Sequence, residues 1–206
     1  MIRIDHFRGF ADFWAIPSES NTAAVGTWLK GPGKQLFNSV LPNASQLPVI
    51  AEDLGFLSDD AVRLRQSLGF PGMKILQFAF NNPEENIFLP HFYDKNCVVY
   101  TGTHDNNTTR GWFELDATDE ERKNVLAYLQ CSDHDVVQQM IKLAWSSVAN
   151  TVIVPLQDLL NLDSGSRMNI PGTTDGNWKW RLNSNYIEQL PISMLQTFNR
   201  IYSRMR

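Results

Sequence analysis

The chain has 206 residues, enough for one ordinary domain with a sizeable core, and its 43% hydrophobic and 19% charged shares are those of a globular protein. A formal net charge of −4 offers no basic footprint, so nucleic acid is not an expected partner. No apolar run approaches the roughly 20 residues of a membrane span, and no basic segment followed by an apolar one opens the chain, so neither a membrane partner nor a signal peptide is expected.

Ile2 to Asp5 reads as the end of a strand that delivers Arg3, Asp5, His6 and Arg8 within six positions. Residues 6 to 33 read as a long loop, a length that in compact domains is usually functional. Phe7 and Phe10 are expected to form a small core beneath it, and Trp28 to stand as an exposed platform. A short helix over 34–40 precedes a buried strand, Pro48 to Glu52, which again ends in an acid. Ser58-Asp59-Asp60 caps the next helix, with Val62, Leu64 and Leu68 turned to the core and Gly69 as its stop. Met73 to Phe80 is expected as a strand, with Phe78 and Phe80 at its far end and a loop over 81–96 after it.

Cys97 to Thr101 has the continuous apolar character of a strand buried on both faces, and it leads to Gly102-Thr103-His104-Asp105. Thr118 to Glu121 is a capping box opening a helix to Leu129. A longer helix follows with Val137, Met140, Ile141, Ala144, Trp145 and Val148 at core spacing. Thr151 to Pro155 is the last strand, and Pro191 opens a terminal helix with Ile192, Leu195, Phe198 and Ile201 on one face. Cys97 and Cys131 follow no pairing pattern and read as reduced thiols of an intracellular protein.

Strands alternating with helices indicate βα units on a parallel sheet. Acids at three strand ends are how an α/β barrel presents its catalytic groups. Five strands, near Ile4, Ile50, Ile75, Val99 and Ile153, amount to part of a (β/α)8 TIM barrel and would leave two edges unpaired.

Paired carboxyls are the equipment of glycoside cleavage, one attacking the anomeric carbon or activating water and the other protonating the departing oxygen. Arg3, two positions before Asp5 on one strand face, favours the ionised carboxylate of a nucleophile. Glu52, ending an apolar strand, is expected to be desolvated and to keep a proton for general-acid work. Asp53 points to the other side of that strand, as a structural partner. His104 is placed to hydrogen-bond a sugar hydroxyl. A metal site built from His6, Glu52, His104 and Asp105 would need ligand spacings of the H-x-x-x-H kind, which the chain lacks, so no metal and no cofactor are expected.

Seven motifs, in order, resemble the amylomaltases, the disproportionating 4-α-glucanotransferases. They are Arg3 to Phe10, Gly31 to Lys34, Ile50 to Gly55, Gly72 to Phe80, Gly102 to Asn106, Arg167-Met168-Asn169, and Asn177 to Arg181. The resemblance implies that residues 1–206 are the C-terminal portion of one catalytic barrel, without its N-terminal part. It implies Asp5 as nucleophile, Glu52 as acid/base, and Asp105 as the third acid that grips the sugar hydroxyls. Arg3 and His104 match residues lining the subsite of the cleaved glucose. Asn106 belongs to the same motif, and Trp28 and Phe80 are candidates for the acceptor site. The implied reaction passes a glucan from one maltodextrin to the 4-hydroxyl of another glucan or of glucose, with starch-derived α-1,4-glucans as partners. An α-amylase-like hydrolase with the same acids, and a fragment that only binds glucan, are the competing readings. The short spacing from Asp5 to Glu52 fits the compact bacterial or plastid type, and a cytoplasmic location, or a plastid in a plant or alga. Asn107 stands where the family usually has aspartate, a change expected to be tolerated.

Overall fold

The structure, a computed structural model, describes residues 1–40, 48–55, 58–84 and 86–205. It is a mixed α/β fold in two units, Met1–Met73 with Asn96–Val98 and Lys74–Lys95 with Val99–Arg206. Among the described residues no helix is long and apolar enough to cross a membrane.

The first unit runs β1 (Ile2–Ile4), β2 (Asp12–Ala15), β3 (Thr27–Lys30), α1 (Gly33–Val40), β4 (Val49–Ala51) and α2 (Asp59–Leu68). β1 pairs parallel with β4, with Ile2 opposite Val49, Arg3 opposite Ile50 and Ile4 opposite Ala51. All three residues of β4 are buried, as a strand covered on both faces requires. Beneath them Phe7, Phe37, Phe70, Leu64 and Leu68 form the core, with Phe10 packed on its margin, so both loop phenylalanines serve the core as expected.

The expected long loop contains more order than its sequence suggests. Phe7–Phe10 form a 3-10 turn, and β2 and β3 make an antiparallel hairpin. The hairpin left no alternating signature because most of its side chains, Phe13, Trp14, Trp28 and Leu29 among them, remain exposed. The Trp14 and Trp28 rings pair across it, 5.3 Å apart.

The signals bounding α2 were accurate. Ser58 accepts the Ala61 N–H at 3.3 Å, and Gly69 ends the helix in the left-handed region at φ 71°. Ala61, not Val62, completes its buried stripe with Leu64 and Leu68, because Val62 falls on the flank of the helix.

Asp53 has the structural role its position implied. Its Oδ1 accepts the Met73 N–H at 2.7 Å. Its Oδ2 lies 3.0 Å from the Arg65 Nε, an ion pair of two mostly buried side chains in which the N–H is not aimed for a hydrogen bond. A Cβ on Gly72 would overlap this carboxylate, which explains the glycine there.

Further along the chain, β5 (Gly72–Ile75), β6 (Cys97–Tyr100) and β7 (Thr151–Ile153) form a sheet in the order β5–β6–β7. β5 is shorter than expected, since the chain turns into a 3-10 segment over Leu76–Phe78. After β6 come α3 (Thr109–Gly111), widening into a π-type turn over Trp112–Asp116, then α4 (Asp119–Leu129) and α5 (Val136–Ser146). α6 (Leu156–Leu159), α7 (Ser184–Ile187) and α8 (Ile192–Ile201) complete the chain. Both halves of the capping box at Thr118 and Glu121 are formed.

α5 buries Val137, Met140, Ile141 and Ala144, while Val148 lies beyond its end and is exposed. Of the apolar face expected on α8, only Phe198 is buried, packed with Val137 and Ile141. Ile192 and Ile201 face water. The Arg204 guanidinium donates to the carbonyls of Trp145, Ser147 and Ala149, satisfying groups left open where α5 stops, and burial holds its pKa below the usual value.

Asp53→Ala should destabilise the first unit by about 3 kcal/mol, the usual loss when one member of a mostly buried ion pair is removed. Gly72→Ala should also destabilise it, by displacing the same carboxylate. Urea midpoints test both, and an unchanged midpoint for Asp53→Ala would mean that Arg65 and the Met73 N–H find equivalent partners.

Candidate active site

The β1–β4 ladder continues past the strands themselves. The Glu52 N–H donates to the Ile4 carbonyl at 2.9 Å, and the Phe7 N–H donates to the Glu52 carbonyl at 3.0 Å. The first residues beyond the matched register are Asp5 and Glu52, so parallel pairing sets two acids on adjacent strand ends. His6 then enters the left-handed region, φ 46° and ψ 49°, and its N–H turns onto Glu52 Oε2 at 2.7 Å. The Leu54 N–H takes Glu52 Oε1 at 2.9 Å. Each oxygen of Glu52 thus holds one backbone donor and keeps a second lone pair for other work.

Glu52 is half-buried, so the enclosure expected from its apolar strand is not present; backbone donors fix it instead. Asp5 is 76% exposed, with Arg3 Nη2 at 2.9 Å from its Oδ1, the pairing that the sequence spacing suggested.

Trp28 is exposed at 54%, as expected of a platform, though the Arg8 guanidinium lies 4.1 Å over its ring. Arg8 is itself held by Asp12 at 2.8 Å. Hydrogen bonds from Ser58 and Arg8 keep the Asp12 carboxyl below the ordinary aspartate range.

Phe80 departs from expectation. It is 0% exposed and packs against Trp112 and Tyr128, so it cannot serve as an acceptor platform. The expected strand gives way to a 3-10 turn after β5, and Phe80 turns into the core instead of standing at the strand's far end. Phe78, with its ring edge on Phe88, is the exposed aromatic there.

In the second unit the loop after β6 carries His104 and Asp105. Asp105 Oδ1 accepts the Asn169 Nδ2 at 2.6 Å, and its Oδ2 lies 3.3 Å from the His104 Nε2. The Asp105 carbonyl accepts from Arg167 Nη2 at 2.7 Å, and the Asn169 N–H donates to the His104 carbonyl at 3.1 Å. The motif Arg167-Met168-Asn169, to which the sequence reading attached no role, is therefore the brace of this acid. Asn106 turns its carbonyl oxygen inward to accept from both the backbone and the hydroxyl of Thr103, closing the turn.

Asn107 is buried, with its Nδ2 donating to Asp116 Oδ2 at 3.0 Å. An ionised aspartate in its place would set two carboxylates against each other. Beside this loop lies a cavity of about 200 Å³ lined by Thr103, His104, Asn107, Pro155, Gln157 and Met168.

Both ends of the loop are held by one buried carboxylate that the sequence reading missed. Asp158 accepts from the Thr101 hydroxyl, from the Thr109 hydroxyl at 2.7 Å and from the Thr109 N–H at 2.7 Å. Gln77 adds a bond to the Asn107 carbonyl at 3.0 Å, and a Cβ on Gly102 would come within 2.5 Å of its Nε2. Burial, outweighing these hydrogen bonds, pushes the Asp158 pKa above the ordinary aspartate value.

A carboxyl whose folded pKa is raised favours the fold while protonated. Its contribution is whole below the unfolded value of about 3.9 and is lost as pH rises through the folded value. Stability should therefore fall as pH climbs through that window. Asp158→Asn, which keeps an acceptor for the Thr109 N–H, should flatten the slope. Denaturant midpoints over a pH series check this, and parallel curves for the two proteins would contradict it.

The 4-alpha-glucanotransferase family profile matches residues 1–187. A 4-alpha-glucanotransferase of Streptococcus pneumoniae is 46% identical over 206 residues, covering 100% of this chain and 41% of the relative. The chloroplastic/amyloplastic enzyme of Solanum tuberosum is 52% identical over 184 residues, 89% of this chain and 32% of the relative. The amylomaltase of Streptococcus agalactiae, solved with acarbose, superposes with a TM-score of 0.90 at 37% identity over 99% of this chain and 41% of that one. The chain thus spans about two-fifths of the length of two of these three relatives, and about a third of the potato one. By the extent of that match, the chain belongs to the 4-alpha-glucanotransferase family.

Proposed function

We propose that this chain carries the catalytic acids of a retaining α-1,4-glucan transferase, and that it forms the C-terminal part of a (β/α)8 barrel domain. The observation carrying the reading is the parallel register that sets Asp5 beside Glu52. Neighbouring strands lie about 4.8 Å apart. That spacing suits the roughly 5–5.5 Å between carboxyls of a retaining pair better than the wider gap that admits a water between them.

In the proposed reaction Asp5 attacks the anomeric carbon while Glu52 gives its proton to the departing glucan oxygen. The 4-hydroxyl of a second glucan then attacks the glucosyl ester, Glu52 takes its proton, and Asp5 leaves. Arg3 orients the nucleophile. Asp105, braced by Asn169 and next to His104, holds sugar hydroxyls. Maltodextrins, starch-derived α-1,4-glucans and glucose are the proposed partners, and the acarbose bound by the streptococcal amylomaltase supports that class. The bacterial and plastid relatives support a cytoplasmic or plastid setting.

In the complete protein, Asp5→Ala should abolish formation of the maltodextrin ladder from maltotriose, and azide should restore cleavage as a glucosyl azide. Glu52→Gln should slow maltotriose by roughly 10²–10⁴-fold, yet hardly slow an α-glucosyl fluoride, whose leaving group needs no proton. Equal losses on both substrates would remove Glu52 from the acid role. A steady rise in reducing ends without longer products would replace transfer by hydrolysis.

A further inference from the structure

The loop after Asp105's brace follows an unusual backbone path. Gly172 and Gly176 adopt left-handed conformations at φ 81° and 85°, and Trp178 does so too at φ 62°. For a bulky aromatic this is a steric outlier, which persists only where the surroundings over-determine it.

Here they do. Asn177 Oδ1 accepts the Ile170 N–H at 2.9 Å, and its Nδ2 donates to the Thr173 carbonyl at 3.1 Å and hydroxyl at 3.0 Å. The Trp178 N–H donates to the Met168 carbonyl at 2.6 Å. The result is an indole 5.2 Å from the His104 ring, tilted 38° to it, with 51% of the residue still in water.

Strain that served packing would end in burial, and this does not. It holds a large apolar surface open beside the histidine that flanks Asp105. A pyranose ring fits such a corner, because its C–H bonds form an apolar face and its hydroxyls form the edge. The indole would take the face, while His104 and Asp105 would take the hydroxyls.

We propose that Trp178 is a sugar-stacking residue, binding a glucose unit of the α-glucan against its exposed indole next to His104. The proposal rests on the glucan reading above and adds to it a residue that sets affinity.

The test titrates the complete protein with maltotetraose and with acarbose, following tryptophan emission and calorimetry. Trp178→Gly relieves the left-handed strain, so its melting midpoint should hold or rise while binding weakens at least about tenfold. Trp178→Phe should lose most of the ligand-dependent emission change, whereas Trp180→Phe, whose indole stacks on Tyr186, should keep it.

If Trp178 merely props His104, the double variant Trp178→Gly/His104→Ala will bind no worse than His104→Ala alone, and the proposal falls. Additive losses support a separate contact with sugar. Unchanged affinity and emission in Trp178→Phe would overturn it as well. No binding by the unmodified protein would overturn the glucan reading itself, and this proposal with it.

Discussion

The parallel pairing of β1 with β4 is the constraint on which the placement of Asp5 and Glu52 depends. Side chains alternate along a strand, so a slip of one residue would turn Asp5 and Glu52 to opposite faces. What prevents the slip lies just past the strands. Phe7, two residues beyond Asp5, is anchored among Phe37 and Phe70, and its N–H donates to the Glu52 carbonyl, which ties the two strand ends in register. The left-handed turn at His6 lies between the acid and that anchor, and it releases an N–H to the neighbouring carboxylate. The aromatic core thus sets the position of the acids through three residues of backbone.

How much of this was legible depended on how local each signal is. Ser58, Gly69 and the Thr118–Glu121 pair act within a few residues of themselves, and the helices they bound are where the sequence placed them. Asp5 and Glu52 were legible because each ends an apolar run. Phe80 was misread because a strand was extended through what became a 3-10 turn, a change of period that five apolar-rich residues do not announce. On α8 the period was right and the burial was not, since a helix can carry apolar residues that its neighbours do not reach.

The braces of Asp105 were illegible for a different reason. Asn169 meets it across 64 positions, and Asp158 meets Thr109 across 49. Neither residue ends an apolar run: Asn169 lies in a loop, and Asp158 lies in the short helix α6 among leucines. The loop between Thr101 and Thr109 has little apolar content to collapse upon. Its shape is imposed by polar groups from elsewhere: Asp158 at both ends, Gln77 through the middle, and Asn106 within. Asn107 belongs to the same logic, because an amide can both accept from Thr108 and donate to Asp116, which a carboxylate cannot.

The acids differ in what holds them. Asp53 is matched by Arg65, Asp12 by Arg8, and Asp60 by Lys30 and Arg63, cationic groups that neutralise what they hold. Glu52 is held by two backbone N–H groups, and Asp105 by an asparagine amide. Neutral donors fix the direction of a carboxylate while leaving its net charge available to a proton, a hydroxyl or a developing cation. Asp158 also has only neutral donors, but it is enclosed, and there burial raises its pKa instead. Asp5 combines the two patterns, with a cation on one oxygen and most of the side chain in water. On the proposed reading, Arg3 orients the side chain while the rest of the carboxylate stays open to approach a sugar.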